Sequence, residues 1–79
     1  MRFYYSRTFE KKFSKYDQKL QKKIFDAIQA LPEGDVKQMV GNNIPVIYRL
    51  RVSKYRILFQ MKSGEVKILK VDTRGDIYK

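Results

Sequence analysis

The clearest hydrophobic pattern lies in residues 48–61, whose sequence is YRLRVSKYRILFQM. On either side of Ser53 and Lys54 every second residue is apolar, so one face of each segment is apolar and the other is polar. β-branched and aromatic residues dominate, as strands prefer. The pattern predicts two β-strands folded back on each other across a short turn. The apolar positions are Tyr48, Leu50, Val52, Tyr55, Ile57, Phe59 and Met61, alternating with Arg49, Arg51, Arg56, Leu58 and Gln60.

The first third of the chain has the period of a helix. Residues 2–5 are aromatic and predict an opening strand, and Ser6 can cap the helix that follows. An apolar stripe then recurs at i, i+4, i+7 and i+11. Asp17 can cap a second helix, which gives a helical hairpin; one long helix is the alternative. Pro32 and Gly34 end the run. The stripe comprises Phe9, Phe13, Tyr16, Leu20, Ile24, Ala27, Ile28 and Leu31.

The segments on either side of the central strands are less regular. Residues 35–45 have no clean period, and their Gly-Asn-Asn and Pro predict a turn or loop, with Met39 and Val40 tucked under the sheet. Residues 62–64 predict a tight turn, and residues 65–71 return as a third strand. That strand is apolar at both Ile68 and Leu69, so a bulge is possible.

Together these elements predict an α+β fold in which an N-terminal strand and a helical hairpin pack on one face of an antiparallel β-sheet. At 79 residues the chain is long enough for one domain, residues 1–79, with a modest core. We expect two groups of side chains to form that core: Phe9, Phe13, Leu20, Ile24 and Ile28 from the helices, and Leu50, Ile57 and Phe59 from the sheet.

Composition narrows the function. Eighteen Lys and Arg against eight Asp and Glu give a formal charge of +10 and a pI near 10.0, which favours polyanions such as nucleic acid or the ribosome. The lysines on the helices either form an ordinary solvated surface or steer the protein electrostatically toward phosphate groups. The chain has no cysteine and no histidine, which excludes thiolate chemistry and the commonest general base. We expect no cofactor, no metal site and no membrane partner, and a cytoplasmic location.

The three strand arginines are the strongest chemical signal. Pairing the two strands brings Arg56 near Arg51 and Arg49, on the face away from the helices, where we expect Arg56 to be exposed and to contribute little to stability. The face is read either as a solvated outer surface or as a site for an anion with several oxygens. Arg74 and Tyr78 follow the third strand and can reach the same surface. Arginine holds phosphate and tyrosine stacks on bases or exchanges a proton, so the group indicates RNA binding or metal-free RNA cleavage by the substrate's 2′-hydroxyl.

Over essentially its whole length the chain resembles the RelE family of toxins, within the RelE/ParE superfamily. The likeness rests on the order of elements and on the stretches GDVKQMVG, YRLRVSKYRILFQ and VDTRGDIYK. It implies a compact fold related to the small microbial ribonucleases and a ribosome-dependent messenger RNA interferase that cuts mRNA in the A site. It also implies an antitoxin partner that forms a hetero-oligomer with the toxin and blocks its activity.

The resemblance also implies roles for individual residues. Arg56 falls on the arginine that stabilises the phosphorane-like transition state, Arg74 on the late arginine near the leaving oxygen, and Tyr78 on the tyrosine that stacks on or orients the nucleotide. Arg49 and Arg51 match basic residues that bind RNA, and Lys54 in the turn joins them. This sequence has arginine where relatives often have lysine at the early pair, and it lacks the late histidine of some relatives.

Two other functions remain open. The gyrase-inhibiting ParE-like toxins share the fold but do not cut RNA, and the stretch YRLRVSKYR with Arg74 and Tyr78 favours the interferase branch over them. The other alternative is a non-catalytic RNA-binding or ribosome-binding module. A small acidic reading frame next to this one would favour the toxin.

Overall fold

The computed structural model describes residues 1–39 and 46–73. In these ranges the chain forms two α-helices and a five-stranded sheet with the spatial order β1-β5-β4-β3-β2. The elements in chain order are β1 (Arg2–Tyr5), α1 (Arg7–Phe13), α2 (Gln18–Gln29), β2 (Val36–Gln38), β3 (Tyr48–Val52), β4 (Tyr55–Lys62) and β5 (Glu65–Thr73).

The helical region is a hairpin and not one long helix. Ser6 caps α1, because its Oγ accepts a hydrogen bond from Phe9 N at 3.0 Å. Asp17 caps α2 in the same way, accepting from Leu20 N at 2.8 Å. Gln21 Nε2 donates to Phe13 O at 2.9 Å, which ties the two helices together across the turn. The predicted caps and the predicted hairpin are therefore confirmed.

The sheet is mixed, whereas the sequence predicted an antiparallel one. β3, β4 and β5 form the expected antiparallel meander, but β1 pairs with β5 in parallel, Tyr5 lying opposite Ile68. Alternation in a four-residue strand shows which residues face the core and carries no information on strand direction. In the fold, β1 and β2 are the two edge strands of the sheet, and the helical hairpin connects them.

Residues 36–38 form an edge strand where the sequence predicted a loop. β2 is antiparallel to β3, with Val36 opposite Leu50 and Lys37 opposite Arg49. Three residues are too few to show a period of two, so the strand was missed. Met39 is half-buried, and its N–H donates to Ile47 O at 2.8 Å. Val40 and the rest of the predicted loop to residue 45 lie outside the described residues.

The core lies between the helices and one face of the sheet, as predicted. Phe59 is fully buried, as are Ile24 and Ile28 on α2, while Phe13 and Leu20 pack at its margin. The possible bulge is also present: the register passes from Leu58 opposite Lys70 to Phe59 opposite Ile68, which leaves Leu69 as the extra residue. Ser6 Oγ donates to Leu69 O at 2.6 Å and so joins the start of α1 to the bulge.

Neither helix in the described ranges is long and apolar enough to cross a membrane.

Candidate phosphate-binding face of the sheet

The sheet surface opposite the helices is strongly cationic. We call the part of it around Arg49, Arg51 and Arg56 the arginine face. Strand register places all three on the side away from Leu50 and Ile57, and Arg51 lies directly opposite Arg56. Like charges directly opposite each other on paired strands are destabilising, so neighbouring groups must offset the repulsion. The structure thus brings the three predicted strand arginines together.

Two of the arginines are more buried than expected. Arg56 is 3% exposed and Arg49 is 8% exposed, whereas the side chain of Arg51 is 36% exposed. We expected Arg56 to lie on an open face where it would contribute little to stability, and this expectation is wrong. A buried guanidinium has lost water and is held in place by its surroundings, so replacing it affects folding as well as binding.

Asp35 supplies a negative charge to the β3 arginines. Its Oδ1 lies 3.5 Å from Arg49 Nη1 and its Oδ2 lies 3.8 Å from Arg51 Nε. The backbone carbonyl of Asp35 also accepts a hydrogen bond from Arg51 N at 3.0 Å and from Arg49 Nη1 at 3.5 Å. Sequence reasoning placed Asp35 in a loop and missed it. The alternation of a strand could have indicated its position, because a core-facing Val36 places its neighbour Asp35 on the opposite face.

Asp72 supplies a second carboxylate, from the strand on the other side of β4. It is the register partner of Arg56, and its side chain is 13% exposed. Lys12 Nζ lies 3.3 Å from Asp72 Oδ1, and Thr73 N donates to the same oxygen at 2.9 Å. β1 ends opposite Ile68, so β5 continues past it and α1 reaches this end of β5. Lys12 therefore has a specific partner, Asp72, whereas the sequence analysis assigned no individual partner to any helical lysine.

Lys54 lies at the end of the hairpin, outside the arginine face. It is exposed in the turn after Ser53, whose φ is +56°, and its Nζ lies 5.7 Å from the centroid of the Tyr55 ring. At that distance the ammonium group has a cation–π contact with the ring. Arg74 and Tyr78, the other two predicted catalytic residues, lie outside the described residues.

A second feature that sequence reasoning missed is an apolar cleft on the helical side. It has a volume of about 180 Å³. Phe25 is 47% exposed at this cleft and does not belong to the predicted helical stripe. Burial raises the pKa of the Tyr5 phenol, and a hydrogen bond from Gln29 acts in the opposite direction, so Tyr5 stays protonated at neutral pH. The cleft is lined by Tyr5, Phe9, Glu10, Phe13, Phe25 and Ile28.

The architecture, two helices on one face of a mixed sheet, is similar to that of solved structures. The chain matches a structure of the RelB–RelE antitoxin–toxin complex from Methanococcus jannaschii with a TM-score of 0.76 and 23% identity, over 95% of this chain and 94% of that one. It matches the archaeal RelE–RelB complex from Pyrococcus horikoshii OT3 with a TM-score of 0.74 and 21% identity, over 94% of each chain.

A conserved hypothetical protein from Helicobacter pylori is similar at a TM-score of 0.66 and 10% identity, over 95% of this chain and 96% of that one. No protein-family model matches the sequence, and no curated protein matches it significantly. The fold is RelE-like, as the sequence resemblance implied.

Proposed function

We propose that this chain is the toxin of a type II toxin–antitoxin pair and acts as a ribosome-dependent endoribonuclease on messenger RNA. The observation that carries the proposal is the arginine face: three guanidinium groups on two paired strands, turned away from the helices. The RelE-like fold supports it, since two of the similar structures are complexes of RelE with RelB. The proposal treats residues 1–79 as one domain that works in the cytoplasm.

The proposed reaction is an internal transesterification. The 2′-oxygen of one nucleotide attacks the adjacent phosphorus, the bond from phosphorus to the 5′-oxygen breaks, and the products are a cyclic phosphate and a 5′-hydroxyl. The 2′-hydroxyl loses a proton and the leaving oxygen gains one. Arginine stays charged and is a poor proton carrier, so the strand arginines act by binding and by stabilising charge.

We assign the central role to Arg56. Its backbone lies in β4 between β3 and β5, and its burial restricts its rotamers, so its charge is held in place before the substrate arrives. In the proposal Arg56 stabilises the phosphorane-like transition state, and Arg49, Arg51 and Lys54 bind the RNA backbone. Arg74 lies near the leaving oxygen and Tyr78 stacks on or orients the nucleotide, as the family resemblance implies.

The proposed partner is an antitoxin that carries acidic and apolar residues. Its acidic side chains match the charge of +10, and its apolar side chains match the cleft at Phe25. Co-expression with the product of the neighbouring reading frame tests this. Phe25→Glu should weaken co-purification, whereas Lys19→Glu, an exposed residue of α2, should change it little. If no neighbouring product binds the unmodified chain, the toxin assignment is wrong.

Cleavage-site mapping on translated message after induced expression tests the activity. Purified protein on programmed ribosomes then gives the single-turnover rate. We expect cuts within codons at the A site, and no cuts in the same message without ribosomes. If the folded protein leaves the message intact in both settings, the endoribonuclease proposal is wrong.

One observation favours a second candidate, a non-catalytic RNA-binding module. Arg56 and Arg49 are almost fully buried, and buried arginines can have a structural role alone. On that alternative the chain binds RNA or ribosomes with steep salt dependence and leaves the message uncut. The same cleavage assay, together with binding measurements, separates the two candidates.

A further inference from the structure

Asp35 places a carboxylate on the arginine face through its position in the sheet. Val36 pairs with Leu50 and is half-buried toward the core, so Asp35 lies on the opposite face beside the β3 arginines. The hydrogen bond from Arg51 N to Asp35 O, 3.0 Å long, continues the ladder between β2 and β3 and fixes the Asp35 backbone. The backbone of Asp35 is therefore held where its carboxylate can reach Arg49 and Arg51.

The contacts of this carboxylate are long. Charge-assisted hydrogen bonds between guanidinium and carboxylate are typically about 2.7–2.9 Å. The distances from Asp35 oxygens to Arg49 Nη1 and Arg51 Nε are 3.5 and 3.8 Å. Arg51 Nε is shielded from solvent and has no hydrogen-bond acceptor among residues 1–39 and 46–73. The Asp35 carboxylate thus offsets the charge of the two arginines without a short hydrogen bond to either guanidinium group.

The carboxylate is also free to move. The side chain of Asp35 is 55% exposed, so it can turn into solvent at little cost. Asp72, the other carboxylate near the strand arginines, is 13% exposed and is held by Lys12 and by the backbone N–H of Thr73. Of these two anions, Asp35 is the one that an incoming ligand can displace.

We propose that Asp35 is an intramolecular competitor of phosphate at Arg49 and Arg51, displaced when a phosphodiester of single-stranded RNA binds there. The inference rests on the proposed function in taking the arginine face as the phosphate site. One exposed carboxylate competes well with a single phosphate ion and poorly with a chain of linked phosphates, whose further contacts add to the first. Asp35 therefore lowers the affinity for isolated phosphate and favours ligands with several phosphates.

The test compares Asp35→Asn with Asp26→Asn. Both changes add one unit of positive charge, but Asp26 pairs with Lys22 on the exposed side of α2, and its carboxylate lies 3.0 Å from that ammonium group. Inorganic phosphate and an octauridylate oligonucleotide serve as the probes. Phosphate binding is followed by the NMR signals of the Arg49 and Arg51 Nε–H groups, and oligonucleotide binding by fluorescence anisotropy.

We expect Asp35→Asn to tighten phosphate binding by about twofold to fivefold, the range that corresponds to removing partly exposed ion pairs. The oligonucleotide should gain a smaller factor, and Asp26→Asn should change either probe by less than about twofold. The asparagine amide could itself contact phosphate, so Asp35→Ala serves as a second variant without that group. Asp35→Ala should also tighten phosphate binding. Circular dichroism melting confirms that each variant is folded.

Three results would overturn the inference. Equal tightening in both Asn variants would mean that only net charge matters, and weaker binding in Asp35→Asn would mean that Asp35 orients the arginines for the ligand. Phosphate that leaves the Arg49 and Arg51 signals unmoved would show that the competition does not exist. The proposed function has its own readout, since a wild-type chain that cuts no message while Asp35→Asn still tightens phosphate binding refutes the nuclease and leaves the competitor standing.

Discussion

The two faces of the central sheet are built from the same strands and bury their residues for different reasons. On the helix side, Leu50, Ile57 and Phe59 are buried among apolar neighbours, so burial itself is favourable. On the other side, Arg49 and Arg56 are buried as cations, which costs free energy unless charge and hydrogen bonds compensate. The apolar side chains of a strand thus stabilise the protein, and the buried arginines of the same strand reduce that stability while they hold positive charge in a fixed position.

The comparison also explains where carboxylates are needed. The core face needs none, whereas the arginine face has Asp35 beside Arg49 and Arg51 and has Asp72 opposite Arg56. If the arginine face binds polyanions, as proposed, it has to avoid both destabilisation by charge repulsion and permanent neutralisation by its own carboxylates. The long contacts of the Asp35 carboxylate fit both requirements, because they reduce repulsion without a short hydrogen bond to either guanidinium group.

The largest effect on stability should come from the core face. Phe59→Ala removes a fully buried ring and should lower the free energy of unfolding by about 3–5 kcal/mol. Leu58 precedes Phe59, lies on the opposite face and is only half-buried. Leu58→Ala should therefore lower the free energy of unfolding by less than about 2 kcal/mol. Urea unfolding followed by circular dichroism measures both. Similar costs for the two changes would contradict the division of the sheet into a core face and a polar face.

The next effect concerns Arg56. Arg56→Ala should lower the single-turnover cleavage rate on programmed ribosomes by about 10² to 10³, the usual result of removing one preorganised donor. Lys62→Ala is the matched control, since Lys62 is an exposed cation on the same strand and, by alternation, on the same face. Because Arg56 is buried, its variant should also melt at a lower temperature, so rates are compared where both variants are folded. A folded Arg56→Ala variant that cuts at the unmodified rate would remove Arg56 from the site.

A smaller effect should arise at Gly34, which lies just before β2 and against Leu50 of the core face. Its φ is +116°, and a Cβ there would lie 3.3 Å from Leu50 Cδ1, so Gly34→Ala brings both strain and a tight contact. We expect a loss of about 1–3 kcal/mol in the free energy of unfolding. Gly64→Ala is the control, because its φ is +79° and nothing lies within 4 Å of the added Cβ. The contact argument requires Gly34→Ala to be the more destabilising of the two.

The smallest effects should come from replacing single cations that are at least partly exposed to solvent. RNA or ribosome affinity should fall steeply with salt, and Arg51→Gln should lower the slope of log affinity against log salt by about one contact. Lys19→Gln, an exposed change on α2, should alter the affinity by less than about twofold. An affinity that does not change between low and moderate salt would contradict an electrostatic role for the arginine face.

Much of the fold could be predicted from local sequence. The alternation of residues 48–61, the apolar stripe on the helices and the caps at Ser6 and Asp17 each depend on residues close in the chain, and all are confirmed. The bulge at Leu69 could be anticipated because two adjacent apolar residues cannot both face the core of a regular strand. The placement of the three strand arginines on one face follows from the same alternation.

What local sequence could not predict depends on distant partners. β1 pairs in parallel with β5, and β2 pairs with β3, because β5 and β3 each have an edge available for a further strand. The sequence of a short segment does not show which edges are available to it. The roles of Arg74 and Tyr78 stay predictions, since they lie outside the described residues.

The alternation of side chains, the starts of the helices and the large positive charge can be predicted from the amino-acid sequence alone, because they depend on residue type and short-range period. The burial of Arg56, the position of Asp35 beside Arg49 and Arg51, and the contact of Lys12 with Asp72 are seen only in the folded chain. Burial and ion pairing depend on distances between residues far apart in the chain, and those distances are fixed only when the strands and helices pack together.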